Sequence, residues 1–204
     1  MRRTHGLLLL TILSLSISRL MAQGSGLGIK GGPLMSTTRS EVIENFPLPG
    51  AVMGLYAPIS VGPGLELQPE LLVAAMGSGY RKPKGDPVID RTIYIQGPLS
   101  LKWYTGNGFN LQGGVQAGKL LFAMERQGAG EWEDVSQRFN NIDVGFNGGM
   151  GVDFRSGVDL TLRYYSGMTP VLEADDALFP RNRSLQFTLG YRVVQFSKAT
   201  RRRR

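Results

Sequence analysis

The chain has 204 residues, with 23 basic, 16 acidic, one histidine and no cysteine, so no disulfide, thiolate nucleophile or thiolate metal site is available. The formal charge of +7 sits at the two ends: setting aside Arg2, Arg3, Arg19, Lys198 and Arg201 to Arg204 leaves 15 basic residues against 16 acidic. The body therefore has no basic patch interleaved with aromatics, and nucleic-acid binding is not expected.

Arg2 and Arg3, the apolar run Gly6 to Ile17 and the sequence Met21-Ala22-Gln23 predict a secretory signal over residues 1–22, cleaved after Ala22. That run is too short to cross a bilayer as a helix, which takes ~20 residues, and no second apolar stretch of that length follows. The only histidine, His5, leaves with the signal. Histidine- and cysteine-dependent nucleophilic catalysis and imidazole zinc sites are then excluded from the mature chain.

Residues 23–196 read as one domain of eight strands, followed by a basic tail over 197–204. The opening Gly26-x-Gly28-x-x-Gly31 has the spacing of a dinucleotide fingerprint. It lacks the strand before and the helix after that the motif needs, so it reads as a glycine-rich first strand. A second strand runs to the turn Val61-Gly62-Pro63-Gly64. In the third, Leu65, Leu67, Leu71 and Val73 oppose Glu66, Gln68 and Glu70. In the fourth, Ile93, Ile95, Leu99, Leu101 and Trp103 oppose Tyr94, Gln96, Ser100 and Lys102. After Thr105-Gly106-Asn107-Gly108, the fifth puts Phe109, Leu111, Val115 and Ala117 opposite Asn110, Gln112 and Gln116. Its parity breaks near Gly118, since Leu120 and Phe122 fall on the polar face. Pro69 and Pro98 each remove a ladder donor, and bulges are the expected remedy. The sixth strand alternates strictly, Ile142, Val144, Phe146, Met150, Val152 and Phe154 against Asn141, Asp143, Asn147 and Asp153. The seventh and eighth continue so: Val158, Leu160, Leu162 and Tyr164, then Leu185, Phe187, Leu189, Tyr191 and Val193.

The connections alternate. Short ones are Val61–Gly64, Thr105–Gly108 and Arg155–Gly157; long ones fall over about 36–49, 78–90, 123–138 and 169–183. An even strand number with tight turns at one end and long loops at the other predicts an all-β, eight-stranded antiparallel up-and-down transmembrane barrel, with both termini on the periplasmic side of a Gram-negative outer membrane. A soluble ligand-binding barrel with its apolar face inward is the alternative. Against it stand the Gly, Asn, Gln and Thr of the polar face. So does the placement of Trp103, Phe109 and Phe154 on the apolar face beside short turns, as an aromatic girdle requires.

Period two then assigns a lumen set: Lys30, Glu66, Glu70, Lys102, Asp143, Asp153, Asp159, Arg163 and Arg192. Such mixed charges are expected to pair in a packed polar core, because unpaired buried charge is costly; the alternative is a narrow ion path. Glu66 and Glu70, four strand residues apart, lie about 13 Å from one another, too far for a paired-carboxylate glycosidase. The acidic loop clusters Glu131-Trp132-Glu133-Asp134 and Glu173-Ala-Asp175-Asp176 lack calcium-loop spacing and read as solvated surface. Trp132 is the candidate loop contact. The Met124–Arg138 loop is expected to be removable without loss of folding.

Several runs resemble the PorT-like outer-membrane β-barrel proteins of the Bacteroidota: Pro49-Gly-Ala-Val-Met-Gly-Leu-Tyr-Ala-Pro-Ile59, Gly64-Leu-Glu-Leu-Gln-Pro-Glu-Leu-Leu72, Tyr94-Ile-Gln-Gly-Pro-Leu-Ser-Leu-Lys102 and Arg183-Ser-Leu-Gln-Phe-Thr-Leu-Gly-Tyr-Arg192. The resemblance covers the whole mature part and is most specific at Leu67-Gln-Pro-Glu-Leu71. It implies a small outer-membrane barrel with no catalytic residues; no metal site or cofactor is expected. The expected role is that of a membrane anchor, a surface-loop binding protein or an assembly or secretion partner, with a narrow passive pore as the alternative. Expected partners are outer-membrane lipid, the outer-membrane assembly machinery and another envelope protein.

Overall fold

The computed structural model describes residues 25–39, 45–81, 86–172 and 180–195. The signal, the tail and the second acidic cluster lie outside the described residues. The strands are β1 (Gly26–Arg39), β2 (Asn45–Tyr56), β3 (Ile59–Gly62), β4 (Leu65–Arg81), β5 (Pro87–Gly106), β6 (Phe109–Gln127), β7 (Glu133–Asp134), β8 (Ile142–Asp153), β9 (Val158–Gly167) and β10 (Arg181–Gln195).

All pairings are antiparallel and the sheet closes on itself. β1 pairs with both β2 and β10, while β2 and β3 both pair with β4 and form one wall. β7 pairs only with the end of β6. The ring therefore has eight staves, in the order β2/β3, β1, β10, β9, β8, β6, β5, β4. Closure gives every stave a hydrogen-bonded neighbour on both sides.

The apolar parity faces outward. Ile29, Leu71, Leu99, Val144, Phe146, Leu162, Phe187 and Leu189 are exposed, while Gln68, Gln96, Ser100, Lys102, Asn110 and Gln186 on the opposite face are buried. This inversion of the usual soluble pattern is what a lipid-facing barrel requires. Trp103, Phe109 and Phe154 point outward beside the tight turns. One of those turns needs left-handed backbone: Gly106, Asn107 and Gly108 all have positive φ, and only Asn107 carries a side chain there.

The walls run further toward the loop end than expected. β5 and β6 have 20 and 19 residues, against the ~9–11 tilted residues that cross a bilayer. Of the stretches expected as long loops, 36–49 and 78–90 are almost entirely strand in their described residues, whereas 123–138 continues β6 to Gln127 and then holds the short β7 and a 3-10 turn at Ser136–Arg138. The ladders continue because they are packed from within, as described below, and polar composition alone does not end them.

The parity break in β6 is a bulge. Tyr94 pairs with Leu120 and Ile93 with Phe122, which leaves Leu121 as the extra residue. Leu120 is buried inside the ring, and past the bulge Phe122 returns to the outer face. The prolines take a different remedy from the one expected. β4 and β5 keep one register on both sides of Glu70-Leu71, and their ladder has a gap there, opposite Gly97-Pro98. The missing Pro98 donor thus opens the ladder without adding a residue. Pro69 sits where the facing wall is itself interrupted between β2 and β3, and there its carbonyl accepts from Ala57 N–H at 3.0 Å. N–H and C=O of one residue point to the same side of a strand, so its absent donor faces that interruption.

Candidate functional site in the barrel interior and mouth

The inner face of β4 reads, from turn end to loop end, Glu66, Gln68, Glu70, then Leu72, Ala74, Met76. The interior accordingly has a charged half and an apolar half. Glu70 is the hub of the charged half. Arg163 clasps it with two bonds, Nη1 to Oε2 at 2.8 Å and Nη2 to Oε1 at 2.6 Å. Lys30 Nζ donates to Oε1 at 3.0 Å and Gln68 Nε2 to the same oxygen at 2.5 Å. Arg163 also donates to Gln112 Oε1 at 3.0 Å. The Glu70, Lys30 and Arg163 side chains are 0%, 1% and 3% exposed. A forked guanidinium–carboxylate contact fixes orientation as well as charge.

Nearer the turn end Asp153 gathers four donors: Tyr104 Oη at 2.7 Å, Asn110 Nδ2 at 2.9 Å, Lys102 Nζ at 3.4 Å and Arg192 Nη2 at 3.5 Å. Arg192 also reaches Glu66 at 3.5 Å. Tyr56 links the Glu70 group to Asp159. Its ring lies 4.8 Å below Lys30 Nζ and its hydroxyl donates to Asp159 at 2.5 Å. The close approach of that ring is possible because Gly28 lies beneath it; a Cβ there would come within 2.4 Å of the ring. The interior thus holds all nine residues of the lumen set. Asp143 and Asp159 meet neutral donors rather than cations; Asp143 accepts from Asn182 at 2.9 Å and Thr169 at 3.0 Å. Tyr104 has the parity of Lys102, so period two already points it inward; what parity could not supply is the bonding partners of Tyr104 and Tyr56, which depend on which strands become neighbours.

The apolar half is the larger departure. Leu34, Val52, Leu72, Ala74, Met76, Tyr94, Leu120 and Ala123 form one buried cluster inside the ring. Val135, Phe139 and Val171 complete it from segments that period two treats as loop. The Met124–Arg138 stretch is therefore no detachable loop. β7 pairs back onto β6, Ser136 accepts from Ala123 N–H at 2.8 Å and donates to its carbonyl at 3.4 Å, and Val135 and Phe139 close the mouth. Beside Phe139 lies a cavity of about 250 Å³ lined by Ser36, Thr38, Met76, Tyr80, Asp90, Glu125 and Asn182 among others.

Outside the mouth, Trp132 is exposed and stacks on Arg126, whose guanidinium carbon is 4.7 Å from the ring. Glu131, Glu133 and Asp134 are exposed. The Ser136 hydroxyl and amide hold the Asp134 carboxyl below the usual carboxylate range, the amide bond being 2.9 Å long. No three metal-capable side chains converge among the described residues.

A closed ring with an apolar outer band and a polar, ion-paired interior is the arrangement of an outer-membrane barrel. A family profile described as outer membrane protein beta-barrel domain matches residues 21–173. The chain belongs to this family. Two solved structures share the family's barrel fold. Neisserial surface protein A is 12% identical, with 83% of this chain and 99% of that one covered at a TM-score of 0.52. Ail, the attachment invasion locus protein of Yersinia pestis, is 12% identical, with 83% and 98% covered at a TM-score of 0.50. At that identity the likeness extends to the fold alone. No curated protein sequence matches the chain.

Proposed function

We propose that this outer-membrane barrel does not conduct, and that it works as a rigid membrane anchor presenting its loop end to a partner. The observation that carries this reading is the filled interior. Tyr94, Tyr165, Lys102, Leu34, Leu72 and Met76 are among side chains less than 2% exposed. Eight strands leave an interior just wide enough for side chains to fill. The Glu70–Arg163–Lys30 clasp crosses it from three different staves, and the apolar cluster blocks the loop half.

The reading includes no catalysis, because the mature chain lacks histidine and cysteine and its interior carboxylates are engaged structurally. It places the tight turns and both termini in the periplasm, after removal of residues 1–22. Within the family, the runs around Leu67-Gln-Pro-Glu-Leu71 support a PorT-like member from the Bacteroidota. An envelope protein and the outer-membrane assembly machinery are its proposed partners.

The narrow-pore alternative has one observation behind it. Oxygen atoms of Gln68, Gln96, Asn110 and Gln116 have no protein partner inside the ring, and such atoms are where interior water bonds. Planar-bilayer recording with the purified barrel separates the two. A flat baseline is expected; steady single-channel openings altered by Glu70→Gln refute the anchor reading and establish the pore.

A further inference from the structure

The outer face changes character abruptly where β1 and β10 leave the apolar band. Going toward the loop end, successive outward pairs are Met35 with Leu185, Thr37 with Arg183, and Arg39 with Arg181. Ser166 of β9 lies opposite Arg183 on the other side. Three arginines and two hydroxyls thus occupy one patch immediately beyond the last lipid-facing pair. Arg39 and Arg181 are directly cross-strand, exposed, and alike in charge. Like charges directly opposite one another destabilise a sheet. No ion pair among the described residues includes any of the three. The outward positions at the other end of the band carry aromatics instead: Trp103, Phe109, Phe154 and Tyr191.

We propose that this patch is a binding site for the phosphate groups of lipids in the leaflet around the loop end, with Arg39, Arg181 and Arg183 as its cationic ligands. The position is decisive. A headgroup phosphate lies at the edge of the hydrocarbon, the level at which Met35 and Leu185 give way to arginine. A guanidinium's planar fork binds phosphate oxygens in pairs. A phosphate between Arg39 and Arg181 turns a repulsive cross-strand pair into a bridged one; Ser166 adds a neutral donor, and so does Thr37 once its hydroxyl turns from the 3.3 Å bond it makes to the Thr38 carbonyl. The inference rests on the barrel spanning a membrane but not on its failing to conduct. Its readout is lipid retention rather than current, so the two can fail separately.

The test uses the full mature barrel, refolded in phosphatidylcholine vesicles with and without a minor fraction of phosphatidic acid, whose phosphomonoester is the probe. Native mass spectrometry after mild detergent extraction reads how much of each lipid is retained. Each cation near a lipid surface contributes about 1 kcal/mol, roughly a fivefold change in affinity. Replacing all three (Arg39→Gln, Arg181→Gln, Arg183→Gln) should weaken retention of phosphatidic acid on the order of a hundredfold. The corresponding triple lysine variant, which keeps the charge but not the fork, should fall between wild type and the glutamine variant, and Arg155→Gln in a turn at the opposite end should change nothing. The heat-dependent gel shift of the folded barrel confirms that each variant is folded. Equal retention by the wild type and the triple glutamine variant overturns the proposal. So does full competition by inorganic phosphate alone, which makes the ligand a soluble anion rather than a lipid.

Discussion

Glu70→Gln is the sharpest perturbation of the interior. It keeps the side chain's shape, removes its charge and turns one acceptor oxygen into an NH2 donor facing other donors. Glu70 is held by four hydrogen bonds between 2.5 and 3.0 Å. Two of its partners, Lys30 and Arg163, have side chains 1% and 3% exposed. The variant therefore leaves two buried cations facing one another without an anion between them. Removing one member of a buried pair costs about 3–5 kcal/mol, because the surviving charge has lost its solvent and its partner. With a urea slope of about 2 kcal/mol per M, the unfolding midpoint of the refolded barrel should fall by roughly 2 M, read by tryptophan fluorescence. Replacing the whole cluster (Lys30→Met, Glu70→Gln, Arg163→Met) should recover most of the loss, since the cost lies in the orphaned charge and an apolar replacement of such a group is often neutral. A loss under about 1 kcal/mol for Glu70→Gln refutes the reasoning. It means that water reaches Arg163 and Lys30, and the filled-interior argument for a non-conducting barrel falls with it.

Phe139→Ala should cost about 3 kcal/mol, as core phenylalanine truncations do, whereas Trp132→Ala should cost about 0.5–1 kcal/mol through the lost stacking on Arg126; chemical unfolding compares the two, and equal losses contradict the placement of Phe139 in the mouth. Arg at Leu162 or Phe187, which pair across β9 and β10, should cost about 2–4 kcal/mol in lipid, as at a bilayer midplane. Val144→Arg should cost only about 0–1 kcal/mol, because Val144 pairs with Ala117 one outward step below the exposed Lys119; a larger penalty there moves the edge of the band. Deleting residues 128–138 should lower stability and refolding yield, contrary to the sequence-based expectation, because it takes Val135 out of the buried cluster and unpins Phe139; unchanged yield in a heat-shift gel contradicts this.

Period two was legible wherever the two faces of a strand met different media. β8, β9 and the lower part of β10 separate lipid from a polar interior, so Val144, Leu162 and Phe187 alternate with Asp143, Arg163 and Gln186 without exception. The signal failed where both faces are apolar. Leu71-Leu-Val-Ala-Ala-Met76 faces lipid with Leu71, Val73 and Ala75 and the inner cluster with Leu72, Ala74 and Met76. A continuous apolar run is what a strand buried on both faces produces, and read that way this stretch predicts an apolar interior at its level. Leu120 carried the same message. Its place on the supposed polar face was the interior cluster showing through, one residue before the bulge at Leu121.

The interior changes from charged to apolar along one barrel for a physical reason. A lipid-facing barrel gains little from the hydrophobic effect inside the bilayer, since its outer band stays in an apolar medium. Its stability there rests on the closed ladder and on satisfied polar contacts, which the Glu70 and Asp153 networks supply. Beyond the band the walls stand in water, where apolar burial is again favourable. There the protein extends β5 and β6 and folds Val135 and Phe139 over the top, continuing the apolar interior that starts lower, at Leu72. The switch from polar to apolar interior between Glu70 and Leu72 lies within the band, and the outer face follows where Met35 and Leu185 yield to Thr37 and Arg183. Inner and outer faces change at different levels because the outer face answers to the surrounding medium and the inner face to packing among side chains, and that offset carries the apolar cluster from within the band up to the mouth.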